Sequence, residues 1–142
     1  MKPMLNRRRR QGGIALLEAM LAIVILGIGL LGTVGLQARA YSALSDAGMR
    51  AEATLAADKL IGVISTDLPN ILLYQLASNG TPNDQLKAWV KETQTNIPGA
   101  ILTVTVTDQQ AQNRYQVVIL IRWQRKANTD MNTHRLTSYI AR

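Results

Sequence analysis

A long apolar segment, residues 14–38, constrains this chain more than any other feature of its sequence. It contains 25 residues, of which only Glu18 is charged. A helix of that length measures roughly 37 Å at about 1.5 Å per residue, and the hydrocarbon core of a bilayer is about 30 Å thick. The segment is therefore predicted to be a membrane-spanning helix, which leaves roughly a hundred residues for one small domain.

Basic residues are concentrated before this segment. The chain has 16 Lys and Arg against 9 Asp and Glu, and five of the basic residues, Lys2 and residues 7–10, precede Gly13. The other 11 basic residues nearly balance the acidic ones, so the high isoelectric point does not indicate a nucleic-acid partner. Because the cytoplasmic flanks of membrane helices are rich in Lys and Arg, we expect a cytoplasmic N-terminus and an exported C-terminal part.

The composition also excludes several classes of site. There is no Cys and only one His, His134, so neither a disulfide nor a zinc or transition-metal site is expected. No G-x-S-x-G motif is present, and the glycines between residues 27 and 35 lack the Lys-Ser/Thr of a phosphate-binding loop. We therefore expect no enzymatic activity, no catalytic residues and no cofactor.

Two glycines separate the arginines from the apolar segment. Gly12 and Gly13 disfavour a helix, so we expect an extended peptide at the membrane boundary that a protease can reach. Cleavage after Gly13 would give Ile14 a new α-amino group, with Glu18 one helical turn further along the same face. Since a charge within a membrane segment is costly, Glu18 is predicted to pair with that amine, in its own chain or in an adjacent subunit. Pairing between subunits would set their axial register.

These residues resemble the type IV prepilin signal: a basic leader, Gly13, a hydrophobic residue at position 14, and Glu18 as the fifth residue after the glycine. Residues 26–32 (LGIGLLG), followed by Gly-Leu-Gln at 35–37, further resemble the PilV-type minor pilins, or pilus modification proteins. The resemblance is specific over residues 7–40. Many members begin the mature chain with Phe, whereas this chain has Ile14.

The resemblance implies a sequence of processing and assembly steps. Prepilin peptidase would remove the leader, residues 1–13, by cleaving after Gly13, and would methylate the amine of Ile14. Glu18 would serve methylation and subunit docking, residues 14–38 would form the transmembrane and assembly helix, and residues 39–142 a periplasmic head. The chain would then be a minor pilin of the inner membrane and the pilus, with other minor pilins, the major pilin and a PilY-type tip adhesin as partners.

Several alternatives remain open at this point. A minor pseudopilin of a type II secretion system shares the signal and the small head, and a DNA-binding competence pilin is a more distant possibility. A conventional secretory signal would use the A-x-A-like site at residues 38–40, but an h-region of about 7 to 15 uncharged residues is shorter than this segment. A plain uncleaved anchor would leave Gly12, Gly13 and Glu18 without a role.

The exported part is predicted to continue the helix and then form a sheet. The helix should extend to about Ser65, with an apolar stripe at five positions three or four residues apart: Met49, Ala53, Ala56, Leu60 and Ile64. Asp46 and Arg50 have the spacing of an i,i+4 ion pair. A second, short helix is expected between Pro82 and Ile97, with Leu86, Trp89 and Val90 on one face.

Period-two alternation begins at Ile101 and predicts three strands. The first two are joined by a hairpin loop at residues 108–113, and the third covers residues 133–140. Their apolar face should lie on the C-terminal half of the long helix, giving an α+β, pilin-like head. Four basic residues are predicted to form a solvated rim near one end of the sheet: Arg122, Arg125, Lys126 and Arg135.

Overall fold

The structure, a computed structural model, describes residues 12–125 and 129–142. A long helix comes first, followed by a short helix and three strands. In chain order the elements are α1 (Gly12–Thr66), a 3₁₀ helix (Leu68–Leu73), α2 (Asp84–Asn96), β1 (Ile101–Gln109), a 3₁₀ turn (Gln110–Gln112), β2 (Arg114–Trp123) and β3 (Asn132–Ala141). This confirms the predicted α+β, pilin-like architecture.

The described residues divide into two compact units, the first ending at Ala43 and the second beginning at Leu44. In the first unit, residues 12–43 are helical throughout, and none of the side chains described there is buried. Its large apolar side chains are 57% to 75% exposed. Within the described residues, α1 is the one helix long and apolar enough to cross a membrane. An apolar surface of this extent is typical of a membrane anchor.

The second unit has its own hydrophobic core. From α1 it receives four buried side chains, which are Ala53, Ala57, Leu60 and Ile64. Met49 and Ala56 are half-buried against the same cluster. The predicted apolar stripe of α1 is therefore confirmed. Ala57, which was not among the predicted residues, is also fully buried and lies between Ala56 and Leu60 in the sequence. The helix ends at Thr66, one residue beyond the predicted end.

The sheet is antiparallel, in the order β1-β2-β3, so β2 is central. Val104 pairs with Ile119, and Ile119 pairs with Leu136 on the other side. Seven apolar residues of the alternating rows on β1 and β2 are buried: Leu102, Val104, Val106, Val117, Ile119, Ile121 and Trp123. Tyr115, which the alternation places in the same row, is only half-buried. The seven buried residues belong to the same cluster as the α1 side chains, which confirms that the sheet covers the C-terminal part of α1.

The hairpin between β1 and β2 is tighter than predicted. Asp108 and Gln109, which were predicted to lie in the loop, pair with β2 instead. Side-chain contacts favour this extension, because the Oδ2 atom of Asp108 accepts a hydrogen bond from Arg142 at 2.9 Å. Asn113 closes the turn with φ at 50°, a left-handed conformation that Asn tolerates better than most residues.

Polar contacts attach α2 to α1. The indole Nε1 of Trp89 donates to the carbonyl oxygen of Ala56 at 2.8 Å, so this large side chain is buried without losing its hydrogen bond. The Nζ of Lys59 lies 2.6 Å from the Oε2 atom of Glu92 at the exposed edge of the same interface. Because both charged side chains are more than half exposed, burial of Trp89 stabilises the interface more than this ion pair does.

Asn83 caps α2 and connects it to the preceding segment. Its Oδ1 atom accepts from the backbone N–H of Leu86 at 3.2 Å, while its Nδ2 atom donates to the carbonyl oxygen of Leu73. We expect Asn83→Ala to lower the free energy of unfolding by about 1 kcal/mol, measured by urea denaturation, because the first turn loses its acceptor. Asn83→Asp retains that acceptor and is expected to recover most of the loss. Equal destabilisation by both variants would contradict a capping role.

The environment of Tyr74 should make the stability of the folded head depend on pH in the alkaline range. Burial raises the pKa of Tyr74, and so do its 2.9 Å hydrogen bond to Asp67 and the negative charge of that carboxylate. The resulting stabilisation is complete below the ordinary tyrosine pKa of about 10 and is lost as the pH rises through the higher folded value. The urea midpoint of Tyr74→Phe should therefore fall less steeply above pH 10 than that of the wild type. Parallel pH profiles for the two proteins would refute this assignment.

The four basic residues near one end of the sheet have different environments. Arg122 on β2 and Arg135 on β3 lie on the same sheet face, the one opposite the core. Arg125 is exposed beyond the end of β2, and Lys126 lies outside the described residues. The structure therefore tests the predicted rim at three of its four positions.

Arg122 is not a solvated rim residue, so the prediction is wrong at this position. Its Nη2 atom donates to the hydroxyl of Ser78 at 3.0 Å, its Nε atom is shielded from solvent, and the side chain is half-buried. The reason lies in the tertiary structure. The segment between the 3₁₀ helix and α2 runs beside β1, where Leu76 exchanges two backbone hydrogen bonds with Val104, and so brings Ser78 to the arginine.

Candidate processing and docking site

Gly13, Ile14 and Glu18 all lie in the first turns of α1. The expectation of an extended Gly-Gly peptide is wrong, because α1 begins at Gly12 and includes both glycines. Helix propagation explains the difference. Once the residues that follow form a helix, each further residue adds a hydrogen bond without the cost of nucleation, and this outweighs a propensity deficit of about 1 kcal/mol per Gly.

Ile14 and Glu18 are one turn apart and lie on one face of α1. Together with Leu17, Leu21, Ala22 and Ile25 they line a shallow apolar surface. The residues other than Ile14 and Glu18 were not singled out from the sequence, although their spacing of three and four residues places them on that face. The carboxylate of Glu18 is thus the polar group of an otherwise hydrocarbon surface.

The carboxylate of Glu18 forms no ion pair with any residue in the described part of the chain, and its side chain is exposed. In an apolar medium such a charge is costly until a cation approaches it. A cation close to this carboxylate would offset that cost. An α-amino group at Ile14, were the preceding bond cut, would be such a cation within the same helix turn.

Gly13 has free space around it in the folded chain. Apart from the adjoining helix backbone, a Cβ atom added there would meet no atom of the described residues within 4 Å, and the same holds for Gly27, Gly29, Gly32 and Gly35. Contacts among the described residues therefore do not require glycine at any of these positions. α1 also passes through the glycine-rich residues 27–35 without interruption.

No group of three or more His, Cys, Asp or Glu side chains within residues 12–125 and 129–142 is arranged to hold a metal ion. His134, the single histidine, lies on β3 with its Nε2 atom buried and without a hydrogen-bond partner among the described residues.

Comparison with known proteins adds one finding. Residues 8–34 match the family described as "Prokaryotic N-terminal methylation motif", a prepilin-type signal. This range contains Gly13, Ile14 and Glu18 and ends within the apolar part of α1. No curated protein and no solved structure matches the chain. The methylation motif, joined to a long apolar helix and a small antiparallel sheet, supports a type IV pilin-like protein with a membrane anchor.

Proposed function

We propose that the protein is a minor type IV pilin of the PilV type, which is processed by prepilin peptidase and contributes to assembly or priming of the pilus or its tip complex. The observation that carries the proposal is the match to the methylation motif at residues 8–34, with Glu18 placed one helical turn after Ile14. The α+β head that follows the helix agrees with it.

In the first step, the peptidase hydrolyses the bond between Gly13 and Ile14. Because Gly13 has no Cβ atom, a peptidase can approach the backbone closely at this position. The leader, residues 1–13, departs with five of the basic residues, and Ile14 acquires the free amine that the same enzyme methylates. A methylated secondary amine remains basic, so the mature terminus keeps its positive charge.

In the second step, Glu18 recruits the subunit into the assembly. Two unit charges about 4 Å apart interact by about 4 kcal/mol at an effective dielectric constant of about 20. The positively charged Ile14 terminus of a neighbouring subunit would satisfy the exposed carboxylate of Glu18, while the apolar side chains around it exclude water. This pairing favours one axial register between adjacent subunits over all other registers, because any other register leaves an unpaired charge in a hydrocarbon environment.

Membrane topology follows from the charge distribution. Five basic residues precede the apolar segment, which favours a cytoplasmic N-terminus and a periplasmic head in the bacterial inner membrane before incorporation into a pilus. The partners of this stage are the peptidase, other minor pilins, the major pilin and a PilY-type tip adhesin. In this proposal the protein is a substrate of processing enzymes and has no catalytic activity of its own.

The test is the intact mass and N-terminal sequence of the protein purified from cells with and without prepilin peptidase. We expect a terminus at Ile14, one methyl group heavier than the unmodified chain, that is absent without the peptidase. A terminus at Met1 in both strains would refute processing. A terminus at Tyr41 would indicate a secretory signal cleaved after residues 38–40.

Glu18→Ala separates the role in docking from the role in cleavage. The variant is expected to be cut at Gly13 but to enter pili at least about tenfold less often than the wild type, because the charge pair loses one partner. Quantitative immunoblots of sheared pili, normalised to membrane levels, provide the measurement. Glu18→Asp, which retains the charge on a shorter side chain, serves as the control and should recover part of the incorporation. Normal incorporation of Glu18→Ala would contradict the docking role.

Deletion of the gene distinguishes a role in pilus assembly from a role in type II secretion. The proposal predicts fewer surface pili by electron microscopy, with type II secretion unchanged. Loss of secretion with normal piliation would indicate a minor pseudopilin. Salt-dependent DNA binding by the purified protein would favour a competence pilin instead.

A further inference from the structure

β3 has a free edge that the rest of the described chain leaves unpaired. The backbone N–H of Arg142 donates to the carbonyl oxygen of Asn113, which makes these two residues a hydrogen-bonded pair of the antiparallel ladder. Such pairs alternate along antiparallel strands, so the next ones are Ile140 with Tyr115 and Ser138 with Val117. The residues between them direct their N–H and C=O groups away from β2. They are Thr133, Arg135, Thr137, Tyr139 and Ala141.

These outward-directed groups form no hydrogen bond with any described residue. The opposite edge of the sheet differs in this respect, because Leu76 pairs with Val104 on β1 through two backbone hydrogen bonds of 2.9 Å each. An open row of donors and acceptors is a template for another extended chain.

Sheet edges that must stay unpaired usually carry protective features, such as a proline, a bulge or several charged side chains. β3 has no proline, and its register with β2 is continuous over all ten residues, without a bulge. Arg135 is the one Lys, Arg, Asp or Glu residue of β3. The edge is therefore long, regular and little protected.

The side chains of β3 indicate which strand would suit this edge. On the core side, Leu136 and Ile140 are only half-buried, so the hydrophobic core remains partly open there. An added strand with apolar residues in that row would cover it. On the other side, Arg135 is exposed and forms no ion pair with a described residue, so an acidic residue opposite it would be favoured.

We propose that the free edge of β3 is a docking site for an extended segment of another polypeptide, which adds to the sheet as a fourth strand. The segment would alternate apolar residues, facing the core, with polar ones, including an acidic residue opposite Arg135. This inference depends on the head alone and holds whether or not the chain is a pilin.

A designed peptide tests the proposal with the purified full chain in detergent micelles. The probe is a fluorescein-labelled peptide of sequence Val-Thr-Val-Glu-Val-Thr-Val-Thr-Val, and its binding is followed by fluorescence polarisation. Thr137→Pro removes an outward N–H without removing a bond to β2, and should raise the Kd at least about tenfold. Thr137→Val keeps that N–H and should bind like the wild type. Equal affinity for Thr137→Pro and the wild type would overturn the proposal.

A charge reversal keeps the test independent of any folding defect in the proline variant. The wild type should prefer the glutamate peptide over one with Lys in its place by about two- to fivefold, and Arg135→Glu should reverse the order. Unchanged preference would overturn the predicted placement of the segment. A different result would be that the wild type forms dimers, that Thr137→Pro dissociates them, and that the peptide does not bind. A second copy of the chain would then occupy the edge, which would also overturn the proposal.

Discussion

Gly13→Val is expected to leave nearly all of the protein in its precursor form. The proposed cleavage follows Gly13, and a branched side chain there would prevent the close approach to the backbone that glycine allows. Displacement of the reacting bond by about 1 Å can slow an enzymatic reaction about 100-fold, so the mature form should fall by a similar factor. Immunoblots of pulse-labelled cells, which separate the precursor from the mature chain, measure the ratio.

The folded chain makes this experiment easy to interpret. Apart from the adjoining helix backbone, a Cβ atom at Gly13 meets no atom of the described residues within 4 Å, so the added side chain has room in the folded protein. Gly27→Val is the matched control, since it introduces the same side chain into α1 at another open position. It should be processed like the wild type. Normal maturation of Gly13→Val, with its terminus at Ile14, would exclude recognition of glycine at the cleavage site.

Ile119→Ala is expected to lower the free energy of unfolding of the head by about 2–5 kcal/mol. Ile119 is fully buried at the centre of β2, where it pairs with Val104 and Leu136. Truncation to Ala removes apolar contacts and leaves a cavity. The sheet cannot readily collapse around this cavity, because β2 is paired with a strand on each side. Both Trp residues of the chain, Trp89 and Trp123, are buried in the same core, so tryptophan fluorescence during urea denaturation reports on the head.

Val118→Ala provides the control for this prediction. Val118 is the adjacent residue on β2, but it is only half-buried on the opposite face of the sheet. Its truncation should cost about 1 kcal/mol or less, mainly through lost strand propensity. Similar losses for the two variants would show that the core-facing row of β2 does not determine the stability of the head.

Much of the architecture could be predicted because the sequence is strongly periodic. The three- and four-residue spacing from Met49 to Ile64 and the alternation from Ile101 to Trp123 each identify a buried face, and the structure buries those faces against one another. The short helix was equally predictable, since α2 begins at Asp84 and ends at Asn96, within the range between Pro82 and Ile97 that the sequence indicates. In each case the same short-range pattern determines both the element and its orientation.

Predictions from single residues were less successful. Gly12 and Gly13 have poor helix propensity, but α1 includes them because propagation from the following residues compensates. Asp108 lies in a strand, where it pairs with Tyr115 and contacts Arg142, 34 positions later in the chain. Arg122 loses part of its exposure to a segment more than 40 positions earlier. Propensity and charge are properties of one residue, whereas these outcomes depend on partners that are distant in the chain.

The sequence by itself determined the apolar helix, the prepilin-like signal around Gly13 and Glu18, and the three alternating strands, because each is a pattern of neighbouring residues. Tertiary structure alone decided that Leu76 covers the edge of β1 and that the edge of β3 stays open among the described residues. The pairing of a sheet edge depends on which backbone groups meet across long stretches of chain, and backbone groups are the same in every residue except proline. Side-chain periodicity therefore predicts the faces of a sheet but not its edges.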